Sequence, residues 1–215
     1  MKSENFSKAQ SEIVGAIMVV LVSIALVGVV YTYGLPLIIK RQDTARVERT
    51  EAAFDQKSIN SLPSKIEAVA NNRGEASINL DIDGLWKLNE NEDSISFTMF
   101  SKVSKSAANL QINPWVSLSG ADCNQPSISA GTLSVDRPSV VCTRADSIND
   151  GLNVTYKVYF RQLNGQGINY KIDLIKHESG ATSSTGKTVR IVFADRTETQ
   201  GQQTLITYKV KILFI

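Results

Sequence analysis

The sequence predicts an α+β protein: a long N-terminal transmembrane or filament-forming α-helix followed by an antiparallel, β-sandwich-like head. Three observations lead there. From Ile13 to Ile39 there are 27 consecutive residues without a formal charge. Between Lys40 and Asn60, charged residues alternate with isolated apolar ones. Beyond Ala76 the apolar residues recur with a period of two in place of the helical 3.6.

The apolar run comes first. About 20 helical residues cross the ~30 Å hydrocarbon layer of a bilayer, so the run has length to spare. A secretory signal peptide has a shorter apolar region ending in a small-x-small cleavage site, whereas this run ends in VVYTYGLPLIIKRQD. Charge leaves the orientation open, because Lys2 and Lys8 stand before the run with Glu4 and Glu12, and Lys40 and Arg41 follow it. Gly15, Ala16, Ser23, Ala25 and Gly28 are small enough to let helix backbones approach closely, and they suit an ordinary single-pass anchor equally well. Tyr31 and Tyr33 suit a membrane interface. Gly34 and Pro36 should kink or briefly open the helix, since proline removes one backbone donor.

The next segment, from Lys40, reads as a solvated helical stalk carrying Lys40, Arg41, Asp43, Arg46, Glu48, Arg49 and Glu51. Pro63 marks a further helix through Ile66 and Val69, ended by Asn71-Asn72-Arg73-Gly74.

Strands are expected where apolar residues alternate with polar ones: Ile78 to Ile82, Ile95 to Met99, Leu152 to Phe160, Ile168 to Leu174, Val189 to Phe193 and Ile206 to Phe214. Glycines between them supply turns. So many short strands in the last two thirds of the chain suit a sandwich or barrel, with the final strand paired into a sheet.

The chemistry-bearing residues are few. Cys123 and Cys142 lie in a Ser/Pro/Gly-rich stretch and read as one loop-closing disulfide, which would stabilise by about 3 kcal/mol on the loop-entropy picture; two separate buried thiols are the alternative. With His177 the sole histidine, a four-ligand zinc site would need carboxylates. Asp81 and Asp83 are expected as exposed carboxylates on a strand's polar face, with metal binding the sharper alternative. Trp86 and Trp115 are expected to pack in the core or on a sheet; sugar platforms are the alternative. Asn153-Val154-Thr155 matches an N-glycosylation acceptor. No nucleotide loop, nucleophile elbow or zinc helix is found, so no enzyme, cofactor or metal is expected. A net charge of +2, from 23 basic and 21 acidic residues with no basic run interleaved with aromatics, speaks against nucleic acid as a partner.

The segment Lys8-Ala9-Gln10-Ser11-Glu12-Ile13-Val14-Gly15-Ala16 resembles the processing site of archaeal type IV pilins and related class III signal peptides of the prepilin family. In that family a short polar leader ends in a basic residue and a small one, and a prepilin peptidase cuts just before the apolar helix. The resemblance covers about the first 40 residues and implies a leader over 1–9, a cut between Ala9 and Gln10, a transmembrane and filament-core helix over 10–39, a stalk over 40–74 and an extracellular head over 75–215. It implies that Glu12 meets the new amine of a neighbouring subunit during assembly, beside Gly15 and Ala16 at the helix contact; Glu12 stands two residues nearer the cut than the glutamate of many pilins. A glutamate resting at the interface, where it favours a helix N-terminus, is the plainer reading of the same residue. Its implied partners are the membrane, the peptidase, and copies of itself or other pilins. The implied function is a structural subunit, major or minor, of a pilus-like filament with a role in adhesion, the protein being held by a single span with its head outside. A membrane-anchored surface protein whose head recognises a ligand such as a glycan is the second reading. A plain anchored protein without processing is the third.

Overall fold

The computed structural model describes residues 4–102, 114–123, 129–148 and 151–215, with side chains from Val14 onward. The chain divides into two compact units, one ending at Asp43 and the other spanning Thr44–Ile215.

The first unit is helical. Helix α1 runs Glu4–Val29, a π-helical turn covers Val30–Gly34, and helix α2 begins at Leu35 and continues to Phe54 in the second unit. The backbone of the expected Ala9–Gln10 junction is helical, and the side chains of Lys8, Ala9, Gln10 and Glu12 lie outside the described residues. The opening expected at Gly34 and Pro36 takes the form of the π turn, placed just before the proline whose missing N–H cannot bond one turn back. Inside this turn the Thr32 hydroxyl donates to the Gly28 carbonyl at 2.9 Å. Every large apolar side chain from Val14 to Ile39 is exposed, from 44% at Leu35 to 77% at Tyr33.

The second unit is built on two mixed or antiparallel sheets and two helical segments. The end of α2 is followed by α3 (Leu62–Asn72). Ser61 caps α3 by accepting the Ser64 amide, and Pro63 occupies its first turn, where a missing donor costs nothing. The helix closes on Arg73, in the left-handed conformation at φ 55°, whose N–H returns to the Val69 carbonyl at 3.0 Å. Thus Arg73, and not Gly74, is the left-handed closing residue.

Twelve strands follow among the described residues: β1 (Glu75–Asn79), β2 (Leu85–Asn89), β3 (Ser94–Ser101), β4 (Val116–Ser117), β5 (Gly131–Thr132), β6 (Ser139–Ile148), β7 (Gly151–Phe160), β8 (Leu163–Asn164), β9 (Ile168–Lys176), β10 (Ser183–Ser184), β11 (Thr188–Thr199) and β12 (Thr204–Phe214). One sheet has the order β1-β11-β12-β9-β8-β5 and the other β10-β2-β3-β7-β6-β4. The final strand is paired on both sides, as expected. An entirely antiparallel head is corrected, however. β9 and β12 run parallel from Ile168↔Thr204 to Lys176↔Ile212, and β5 pairs with β8 in parallel. The tight β11–β12 hairpin folds β12 back into the space between β11 and β9, and this insertion gives it the direction of β9.

Both sheets bury apolar side chains in one common core. Period-two alternation is cleanest in β7, where Leu152, Val154, Tyr156, Val158 and Phe160 are buried and the intervening residues are not. At the centre Trp86 lies against Phe97 with ring centroids 4.6 Å apart, and Phe214 reaches it from the other sheet at 6.1 Å. Phe54 of α2 stacks on Tyr156 at 5.4 Å and on Trp86 at 6.0 Å. Gly84 must be glycine here, because a Cβ would come within 2.3 Å of the Phe97 ring.

The helices correct the expected stalk. Val47, Phe54, Leu62, Ile66, Val69 and Ala70 belong to the same core as the strands. The Thr50 hydroxyl reaches the Met99 sulfur at 3.2 Å. Only the outward side of this segment is the solvated, charged surface that its composition suggests.

Candidate functional site

The most conspicuous functional element is the helix itself. The stretch Val14–Phe54 includes a window long and apolar enough to cross a membrane, and none of that window is buried. Gly15 and Gly28 have no atom within 4 Å of the place a Cβ would occupy, so neither is needed for packing within this chain. Leaving such apolar side chains in water is about 1.5–3 kcal/mol less favourable for each than burying it.

The disulfide expected from Cys123 and Cys142 is formed, with Cα atoms 6.0 Å apart. Along β6, Val141 and Ala145 face the main core, while Val140 and Cys142 point the other way into a second cluster with Cys123. Trp115, Ala121 and Tyr159 pack against that cluster. The bond therefore fastens the end of the 114–123 segment, whose β4 is already paired with the edge of β6, against the outward face of that strand. Arg144 lies over the Trp115 ring at 4.9 Å and pairs with Asp146 at 2.9 Å. Trp115 is thus a sheet-covering residue, and Trp86 is a core residue.

Asn153 is half-buried on β7, in register with Phe100 on one side and Asp146 on the other. The hydroxyl of Thr155, the third residue of the acceptor pattern, shares a hydrogen bond with Thr98 Oγ1 at 3.0 Å.

His177 follows β9 in a turn, its Nδ1 at 2.9 Å from Ser179 Oγ and 3.8 Å from the Glu178 carboxylate. Asp81 and Asp83 lie just beyond β1 and not on a strand. The Lys187 ammonium sits 2.5 Å from Asp81 and 3.7 Å from Asp83. The hydrogen bond from Lys187 holds the Asp81 carboxyl below its ordinary range. These carboxylates are thus spent on a lysine. Among the described residues no group of three or more His, Cys, Asp or Glu is placed to hold a metal.

A shallow hollow of about 340 Å³ opens beside α2, lined by Glu48, Glu51, Ala52, Asp55, Gln56 and Leu118. Next to it the Arg137 guanidinium bonds the Gln56 carbonyl and pairs with Glu67 at 3.3 Å, while Ser139 Oγ donates to Glu67 at 2.5 Å. These contacts tie the α2–α3 connection to the start of β6.

A further cluster went unnoticed in the sequence. Asp93 ends the 3₁₀ turn Glu90–Glu92 in the left-handed conformation, at φ 46°. It is 8% exposed. Its carbonyl accepts the Phe160 amide at 2.9 Å, and its Oδ1 accepts the Leu174 amide at 3.1 Å. Its Oδ2 lies 2.8 Å from Lys171 Nζ, which is also 2.7 Å from Asp173 Oδ1. Burial pushes the Asp93 carboxyl above its ordinary value, against the Lys171 hydrogen bond that lowers it. For Lys171, burial alone lowers the ammonium, but the hydrogen bonds it donates to Asp173 and Asp93 outweigh it and leave the pKa raised. Nothing in local spacing marks this group, because Asp93 and Lys171 meet only through the tertiary fold. No protein-family model matches the chain, and neither the curated proteins nor the solved structures hold a match to it.

Proposed function

We propose that the chain is a structural subunit, major or minor, of an archaeal type IV pilus-like surface filament, assembling through its N-terminal helix and displaying the β-rich head for adhesion. One observation carries the reading. An apolar helix whose described large side chains are all exposed follows a polar segment ending in Lys8-Ala9-Gln10, so the processing-like junction precedes the apolar run. Cutting there leaves the helix on the mature protein, where it serves first as a membrane span and then as a filament core. The sandwich-like arrangement of two sheets around one core, and the disulfide, suit a head working outside the cell. Peptide mass spectrometry of the protein from its native membrane tests the reading: a mature N-terminus at Gln10 supports it, and a chain retaining residues 1–9 overturns it. Sheared surface filaments containing the protein distinguish a filament subunit from the second reading, a membrane-anchored binder.

A further inference from the structure

We propose that Lys171 and Asp93 are joined by an intramolecular isopeptide bond, with Asp173 as the proton-transferring group. The amine and the carboxyl oxygen are already 2.8 Å apart, and the second carboxylate touches the same amine at 2.7 Å. The partners are far apart in sequence and sit on different sheets' elements, Asp93 on the turn leading into β3 and Lys171 on β9. A bond between them would staple the two sheets together.

Three features prepare this site for amide formation. Asp93 is held by its neighbours from both sides, through the Phe160 and Leu174 amides, in a backbone conformation that non-glycine residues seldom adopt. Such anchoring turns a bimolecular condensation into a unimolecular one with a high effective concentration of amine. Burial of Asp93 makes its neutral acid, the electrophilic form, more accessible than in an exposed carboxyl. Asp173 places its Oδ1 2.7 Å from the same ammonium, within reach to take its proton.

The step balances without any external reagent. Asp173 takes one proton from the Lys171 ammonium, and the freed Nζ lone pair attacks Cγ of the neutral Asp93 acid. The tetrahedral carbon then expels its hydroxyl, which receives a second proton from nitrogen relayed by Asp173 and leaves as water. The Nζ–Cγ bond forms and the Cγ–OH bond breaks. One proton remains on Asp173, and nothing is oxidised or reduced. The Oδ1 atom becomes the amide oxygen and keeps its bond from Leu174. The hydrogen bonds that hold the Lys171 ammonium charged oppose the first proton transfer, so the reaction is expected to be slow and to run once per molecule after folding.

The test is the intact mass of the purified full chain, compared with Lys171→Arg and Asp173→Asn variants carrying the same N-terminus. The expected wild-type mass is lower by one water than its disulfide-bonded sequence, and digestion yields a branched peptide linking Asp93 to Lys171. Both variants are expected at full mass after allowing for the substitution. A folded wild-type chain at full mass overturns the proposal, as does a missing water traced to another pair; a cross-linked Asp173→Asn chain overturns the role given to Asp173. The shared N-terminus makes this result independent of leader processing.

Discussion

The Leu174 amide donates to Asp93 Oδ1 at 3.1 Å, and two residues further along β9 the Lys176 amide donates to Glu90 of the same turn. In β9 alternate amides face one side, so the two carboxylates cap consecutive outward donors on an edge that β8 covers only at Asn169 and Tyr170. Side-chain oxygens here do what a neighbouring strand would do, and they keep another chain from pairing there.

In a chain that cannot form the amide bond, Asp93 titrates as a buried carboxyl. Its pKa is raised in the folded protein by burial, so its contribution to stability is greatest below the ordinary value of 3.8 and is lost as pH rises through the raised one. Denaturation of Lys171→Arg and of Lys171→Arg/Asp93→Asn, which keep Asp173 and a cation beside the site, measures this directly over that range. The single variant is expected to gain stability relative to the double variant as pH falls from neutral.

Phe54 decides whether the second helix is a stalk or part of the head. With its ring fully buried against Trp86 and Tyr156, Phe54→Ala is expected to destabilise the head by about 3–5 kcal/mol, measured by chemical denaturation. A free stalk residue would show almost no change.

Loss of the disulfide is expected to act on the outer cluster first. The Cys123→Ser/Cys142→Ser chain should lose about 3 kcal/mol of stability, for a ring closed across 19 positions. Trp115 rests on that cluster, so its fluorescence should shift toward that of exposed tryptophan, while Trp86, fully buried elsewhere, should not.

The apolar helix is open to a single-charge test. Val20→Asp puts a carboxylate in the middle of the exposed apolar stretch and should cost about 2.5–3.5 kcal/mol on membrane insertion. Fractionation of membrane from soluble protein should show a loss of membrane association, with the melting of the head unchanged.

Much of the architecture was legible before the structure. A charge-free run of 27 residues and a period of two are local patterns, and each implies its burial or exposure without any partner being known. The cysteine pairing was legible because only two cysteines exist. The strand character of β7 and β12 could be read because every second side chain had to be apolar. The stalk was misread because its charges dominate composition, whereas the few apolar residues Val47 and Phe54 decide its packing.

By itself, then, the sequence determined that an apolar helix precedes a β-rich, disulfide-closed head, since helix length, strand alternation and cysteine number are properties of short stretches. The tertiary structure alone decided that β12 inserts between β11 and β9, that α3 belongs to the core, and that Asp93 meets Lys171 and Asp173. Those outcomes depend on residues tens of positions apart competing for one apolar interior. No local pattern encodes which distant partner wins that competition.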